Sequence, residues 1–296
     1  MLEFNARTIE TITNALRRCD RKVNLTKTWY CLHQSYGIGT PSSSGASLKL
    51  SEQDHSTLRA LIQRHTSFDP LKQTTAELKG DRMELALKTR NEKLSSQTVS
   101  AGIVMVGSPT HALTLASGTY QLPPGSTLNV PAEELHGTHR VVLIENLPVM
   151  YHLARYRWPQ DIVEIPMLFR GSPQFTPAAV TKALAGVHEV VCFADYDPQG
   201  LMNCLTQRRA CAMVLPTDEA ILRITSTGLD KPADFANQQA AREWLNTLQL
   251  PPVQRMLAQK LAISQESMAG SELILYQLER RDADPHTVPS AADFWG

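Results

Sequence analysis

Apolar residues recur at helical spacing in the first hundred positions and in short breaker-bounded runs thereafter. Phe4, Ile9, Ile12 and Leu16 mark a helix over residues 4–19, and Arg17 and Arg18 suit its C-terminal dipole. A Gly/Ser/Pro loop, "GIGTPSSSGAS" (37–47), follows. Ser51 three residues before Asp54 predicts a capped helix over 50–65, with Leu58, Leu61 and Ile62 on its apolar face. "TTAELKGDRMELALKTRNEKL" (74–94) predicts a further helix. From about 100 to 135 the texture turns to β-type runs, "AGIVMVGS", "ALTLAS", "TYQL" and "TLNVP", parted by Gly, Ser and Pro.

From residue 139 the pattern alternates between strand and helix. "HRVVLIEN" (139–146), "DIVEIPMLFRG" (161–171), "HEVVCFADYD" (188–197) and "CAMVLP" (211–216) read as buried strands. The segments "LPVMYHLARY", "TPAAVTKALAG" and "PQGLMNCLTQRRA" between them read as helices. The expected organisation is α/β in three parts. These are a helical region (1–70), a winged-helix-like or small β domain (71–137), and a mostly parallel, Rossmann-like sheet domain (138–296).

Composition adds limits. The 296-residue chain is 42% hydrophobic and 20% charged, with no apolar run long enough to cross a membrane. Five cysteines without a CxxC pair suggest reduced thiols and a cytoplasmic location. Net charge is zero but uneven: residues 1–100 hold 15 Lys/Arg against 10 Asp/Glu, and the remainder 14 against 19. A basic front and an acidic back suit a nucleic-acid-binding arm on a carboxylate-rich half.

Chemistry concentrates in "FADYDPQGL" (193–201), where Asp195 and Asp197 stand at the exit of a predicted strand. Glu145 ends another. Ligands of open parallel sheets bind outside the carboxyl ends of the strands. If the two strands are neighbours, three carboxylates converge on one edge, which costs energy unless protons or a divalent cation neutralise them. Oxygen donors without nearby histidines suit Mg²⁺ or Mn²⁺. None of the nine histidines sits in an HxH or HExxH spacing. Taken alone, Asp before Pro-x-Gly is equally a helix N-cap.

Glu145, Asp195-x-Asp197 and the roughly 50 residues between them resemble the Toprim domain of topoisomerases, primases and several nucleases. "DYDPQG" and "RGSPQFTPAAVTKAL" are more similar to the branch holding the type IIB topoisomerase A subunit, the meiotic double-strand-break protein and the Wadjet-type plasmid-defence nucleases. The resemblance covers about 139–270. It implies a winged-helix unit ahead of the Toprim domain and a metal-dependent DNA nuclease with Glu145, Asp195 and Asp197 as metal-holding or acid–base residues. "LAISQESMAG" (261–270) is similar to a late Q-E segment of the Wadjet nucleases and makes Gln265 and Glu266 second-rank candidates. DNA, an SMC-like motor subunit and a second copy of the chain are the partners it implies. No tyrosine among Tyr30, Tyr36 and Tyr120 falls in a nucleophile motif, so hydrolysis by water is expected rather than a phosphotyrosyl intermediate. Arg170, Lys182, Lys88 and Arg90 are candidate phosphate contacts, as are Lys79, Arg82, Lys93, Arg208 and Arg209. The competing functions are a non-catalytic DNA-binding adaptor on the same scaffold and a D-x-D phosphatase. The phosphatase motif belongs on the first strand without Pro198 behind it.

Overall fold

The computed structural model describes residues 4–74, 80–91, 94–95, 100–172 and 176–278. The chain divides into two compact units, Met1–Val99 and Ser100–Gly296. It is mixed α/β, and no helix among the described residues is long and apolar enough to cross a membrane.

The first unit contains α1 (Ala6–Arg18), β1 (Lys22–Asn24), α2 (Lys27–Tyr36), β2 (Thr40–Pro41), β3 (Ser47–Lys49), α3 (Glu52–Thr66) and α4 (Arg82–Ala86). Asn5 caps α1, and Ser51 with Asp54 forms the expected reciprocal capping box on α3. The three strands form an antiparallel sheet in the order β1-β3-β2. Ile9, Ile12, Leu16, Trp29, Leu32, Leu48, Leu58 and Ile62 fill a core of its own. The helix expected over 74–94 is only the five residues of α4 among those described. Lys79, Lys93 and part of that segment lie outside the described residues.

The second unit contains β4 (Ile103–Gly107), β5 (Ala112–Leu115), β6 (Gly118–Gln121), β7 (Leu128–Pro131), β8 (Arg140–Ile144), α5 (Leu147–Met150), β9 (Met167–Phe169), α6 (Pro177–Ala185) and β10 (Glu189–Phe193). It continues with α7 (Pro198–Thr206), β11 (Ala210–Pro216), α8 (Asp218–Ser226), α9 (Pro232–Asn237), α10 (Gln239–Leu245), α11 (Pro251–Gln259) and β12 (Leu273–Gln277). Seven strands make one mixed sheet in the order β12-β11-β10-β8-β9-β4-β7. β9, β8, β10 and β11 are parallel, while β12, β4 and β7 extend the sheet antiparallel. The parallel strands are the continuous apolar runs read from the sequence, buried on both faces.

Two expectations change. The boundary at 137 falls inside the second unit, because β4 pairs with both β9 and β7. Residues 103–131 therefore supply an edge of the large sheet, with β5–β6 as a separate hairpin, rather than forming a domain with 71–99. The strand expected over 161–171 shrinks to β9, since Gln160–Ile162 form a 3-10 turn. Gly186 ends α6 at φ −88°. Its lack of a side chain serves close packing, since a Cβ there would lie 2.3 Å from the His136 ring.

Candidate functional site at the carboxyl edge of the sheet

From β8 the chain runs to β9 on one side and then returns to β10 on the other, so the topological switch point lies between β8 and β10. That is where an open sheet leaves a crevice at its carboxyl edge. Phe193 of β10 pairs with Ile144 of β8, so the residues that follow, Ala194-Asp195 and Glu145, leave the sheet side by side. The Glu145 amide still donates to the Phe193 carbonyl at 3.1 Å. The Asp195 amide donates to Oε2 of Glu145 at 3.2 Å, tying the two strand ends together.

Each acid has a distinct environment. Oε1 of Glu145 lies 2.6 Å from an Arg170 guanidinium nitrogen and accepts from Asn203 Nδ2 at 3.2 Å. The Glu145 side chain is 11% exposed, so this ion pair is largely shielded from water. Oδ1 of Asp195 accepts from the Gln265 amide at 2.8 Å and from Asn146 Nδ2 at 3.0 Å. The same Asn146 nitrogen lies 3.4 Å from Oε2 of Glu266, which places the exposed Glu266 beside Asp195. Burial pushes the Asp195 carboxyl up to about 7, the Gln265 amide pulls it back, and the charges of Glu145, Asp197 and Glu266 raise it further. Three nearby carboxylates therefore act on Asp195 in addition to its burial.

Asp197, expected beside them as a ligand, is the N-cap of α7. Oδ1 accepts from the Gly200 amide at 2.7 Å and Oδ2 from Gln238 Nε2 at 2.7 Å, so both oxygens are committed. Gly200 is required by contact: a Cβ there would lie 2.2 Å from the Asp195 carbonyl oxygen. The D-P-x-G segment thus presses the first turn of α7 onto the backbone of Asp195 and fixes where its carboxylate stands.

Gln265 is the brace of the site and is fully buried. Its side-chain oxygen accepts from the Asn146 amide at 2.8 Å, and its Nε2 donates to the Phe193 carbonyl at 3.0 Å. Its own carbonyl accepts from the Tyr156 hydroxyl at 3.2 Å. One side chain therefore spans the ends of β8 and β10, while its amide holds Asp195. Tyr196 and Ile263 form an adjoining antiparallel bridge that docks the 261–268 segment on the same edge.

Among the described residues no group of three or more His, Cys, Asp or Glu side chains is arranged to hold a metal ion. The donors at this edge are carboxylate and amide oxygens, the hard type a divalent cation takes, and Asp195, Glu145 and Glu266 could hold one only after Glu145 releases Arg170 and the three draw together. Of the basic candidates, Arg170 is in the site, paired to Glu145, and Lys182 pairs with Glu133 on the surface. Arg209 donates to the Leu184, Ala185 and Val187 carbonyls and so closes the end of α6. Lys88 and Arg90 are exposed residues of the first unit. Asn146, Asn203 and Gln238 have no motif that marks them. Their signal is position: next to Glu145, one turn after Gly200, and at the junction of α9 and α10.

A family described as a domain of unknown function (DUF7281) matches residues 101–277, which include every residue of this site. No curated protein matches the chain.

Proposed function

The chain belongs to the DUF7281 family, and from that premise we propose that its second unit is a Toprim-type domain that hydrolyses DNA phosphodiester bonds with Mg²⁺ or Mn²⁺. The observation that carries the proposal is the placement of Glu145 and Asp195 at the ends of adjacent parallel strands across the switch point, where burial and then the nearby carboxylates disfavour the Asp195 charge. A bound divalent ion would supply charge stabilisation at the phosphate and a water of lowered pKa. Asp195 and Glu266 hold the negative charge that recruits it. Glu145, steered by Asn203 and Asp195, stands as a further ligand or a proton carrier. Asp197 and Gln265 act as positioning residues, through α7 and through the strand ends. Arg170, once off Glu145, offers a guanidinium to a phosphate oxygen. The resemblance extends the proposal to an SMC-like partner in a plasmid- or phage-defence complex.

A second function is favoured by one observation. The Arg170–Glu145 pair already neutralises part of the edge, as would suit a non-catalytic DNA-binding scaffold. Supercoiled plasmid incubated with Mg²⁺ or Mn²⁺ separates the two. Nicking by the wild type that Asp195→Ala abolishes supports the nuclease. Identical plasmid profiles for both proteins support the scaffold, and a covalent protein–DNA adduct overturns hydrolysis.

A further inference from the structure

A second concentration of chemistry lies at the amino edge of the large sheet, roughly 20 Å along the strands from the carboxylates. His139 immediately precedes β8, and His188 immediately precedes β10. The β8–β10 register pairs Arg140 with Glu189, and one residue earlier it brings the two histidines side by side. Backbone bonds hold both segments there. The Glu189 amide donates to the His139 carbonyl at 2.9 Å, and the Gly137 amide donates to the Gly186 carbonyl at 3.2 Å. The two imidazole ring centres are 5.8 Å apart, with their planes inclined by 28°. Both side chains are exposed, His139 to 74%.

That spacing suits a shared ion. With metal–nitrogen bonds of about 2.0–2.1 Å, two imidazoles on one tetrahedral Zn²⁺ hold their ring centres about 5–6 Å apart. The second torsion of a histidine is broad, so each exposed ring can turn a nitrogen toward the space between them. Glu189 supplies an orienting charge. Its Oε2 is 4.0 Å from Nδ1 of His139, which favours the proton on Nδ1 and leaves Nε2 to ligate. Arg140 fixes that carboxylate, donating from Nε at 2.9 Å and from a terminal nitrogen, so the ligands left for the ion are imidazoles. The Arg209 guanidinium is engaged by the Leu184, Ala185 and Val187 carbonyls. The neighbouring His136 ring is packed on Gly186. A crevice of about 490 Å³, lined in part by His139, Arg140 and Glu164, opens beside the pair and has room for water on the ion.

We propose that His139 and His188 bind a late first-row divalent ion of the Zn²⁺ type, which staples the amino ends of β8 and β10. Imidazole nitrogens suit Zn²⁺, Ni²⁺ and Cu²⁺, whereas Mg²⁺ and Mn²⁺ take oxygen donors such as those of the opposite edge. Two protein ligands leave water in the remaining positions, so the ion exchanges instead of being sealed in a closed four-ligand site. The inference stands whether or not the carboxylate edge cleaves DNA. The two ligands are far apart in sequence, and strand register alone joins them.

The test is titration of substoichiometric Zn²⁺ into the untagged full-length protein at pH 7.5, read by nuclear magnetic resonance of the histidine rings and by thermal melting. The His139 and His188 ring signals should move first, and the melting temperature should rise because the ion binds the folded state. His139→Ala and His188→Ala should each weaken Zn²⁺ binding by at least about tenfold, one ligand being lost in each. Both rings are exposed, so the melting temperature without metal should stay unchanged. His136→Ala and Asp195→Asn should keep the response of both rings. Lowering the pH to 5.5 should weaken it, since protons compete for the same nitrogens. Unmoved His139 and His188 signals, or Zn²⁺ affinity that survives in both alanine variants, overturn the inference. So does a loss in His136→Ala equal to that in His139→Ala.

Discussion

Asp195→Asn is the most revealing single change, because it removes a charge the fold resists and keeps the hydrogen bonds the fold uses. An amide oxygen at this position still accepts from the Gln265 amide (2.8 Å) and from Asn146 Nδ2 (3.0 Å). The wild-type carboxyl moves from 3.8 to about 7 on folding, mainly through burial. The folded state therefore binds more protons than the unfolded state between about pH 4 and pH 7, and wild-type stability falls as pH rises through that window and levels off above it. At roughly 1.36 kcal/mol per pH unit, ionising Asp195 at pH 8 costs the fold up to about 4 kcal/mol. The Asn variant lacks this cost. Urea unfolding followed by circular dichroism in EDTA should find it more stable than the wild type by about 2–4 kcal/mol at pH 8, with the difference shrinking to under about 1 kcal/mol at pH 4. A variant less stable at pH 8, or an offset that does not change with pH, would refute the claim that Asp195 is held under electrostatic strain.

Other consequences are equally specific. Gly200→Ala pushes a methyl group into the Asp195 carbonyl and should destabilise the protein by about 3 kcal/mol, seen as a lower urea midpoint at unchanged slope. Gln265→Leu strands the Asn146 amide and the Phe193 carbonyl and should cost about 3 kcal/mol in the same experiment. Arg170→Gln leaves Glu145 without its counter-charge and should lower the melting temperature in EDTA, with added Mg²⁺ restoring more stability than in the wild type. A melting temperature insensitive to Mg²⁺ in that variant would count against a cation at Glu145.

The parts legible in the sequence were those with a local signature. β8, β10 and β11 are apolar runs that end at breakers, and their parallel pairing brings Glu145 beside Asp195. The capping box at Ser51 and Asp54 is likewise a three-residue pattern. The sheet extension by β4, β7 and β12 was not legible, because antiparallel pairing of 106–107 with 167–168 leaves no trace in either segment. Strands β1, β2 and β3 span two or three residues each, too short for a period of two to stand out, which hid the sheet of the first unit. Asp197 could be read either as a ligand or as a cap, and only the Gln238 contact from a distant turn shows how its second oxygen is engaged. Gln265 carried no periodic signal either, since its importance comes from burial in a 3-10 turn against two strand ends.

Titration of Mn²⁺ into the full-length protein at pH 8, followed by calorimetry, tests the central claim most directly, since a nuclease edge and a self-neutralised scaffold differ before any DNA is added. The account predicts saturable binding by the wild type that Asp195→Asn and Glu145→Gln each weaken by at least about tenfold, roughly 1.4 kcal/mol per ligand. Wild-type heats indistinguishable from those of both variants would contradict it.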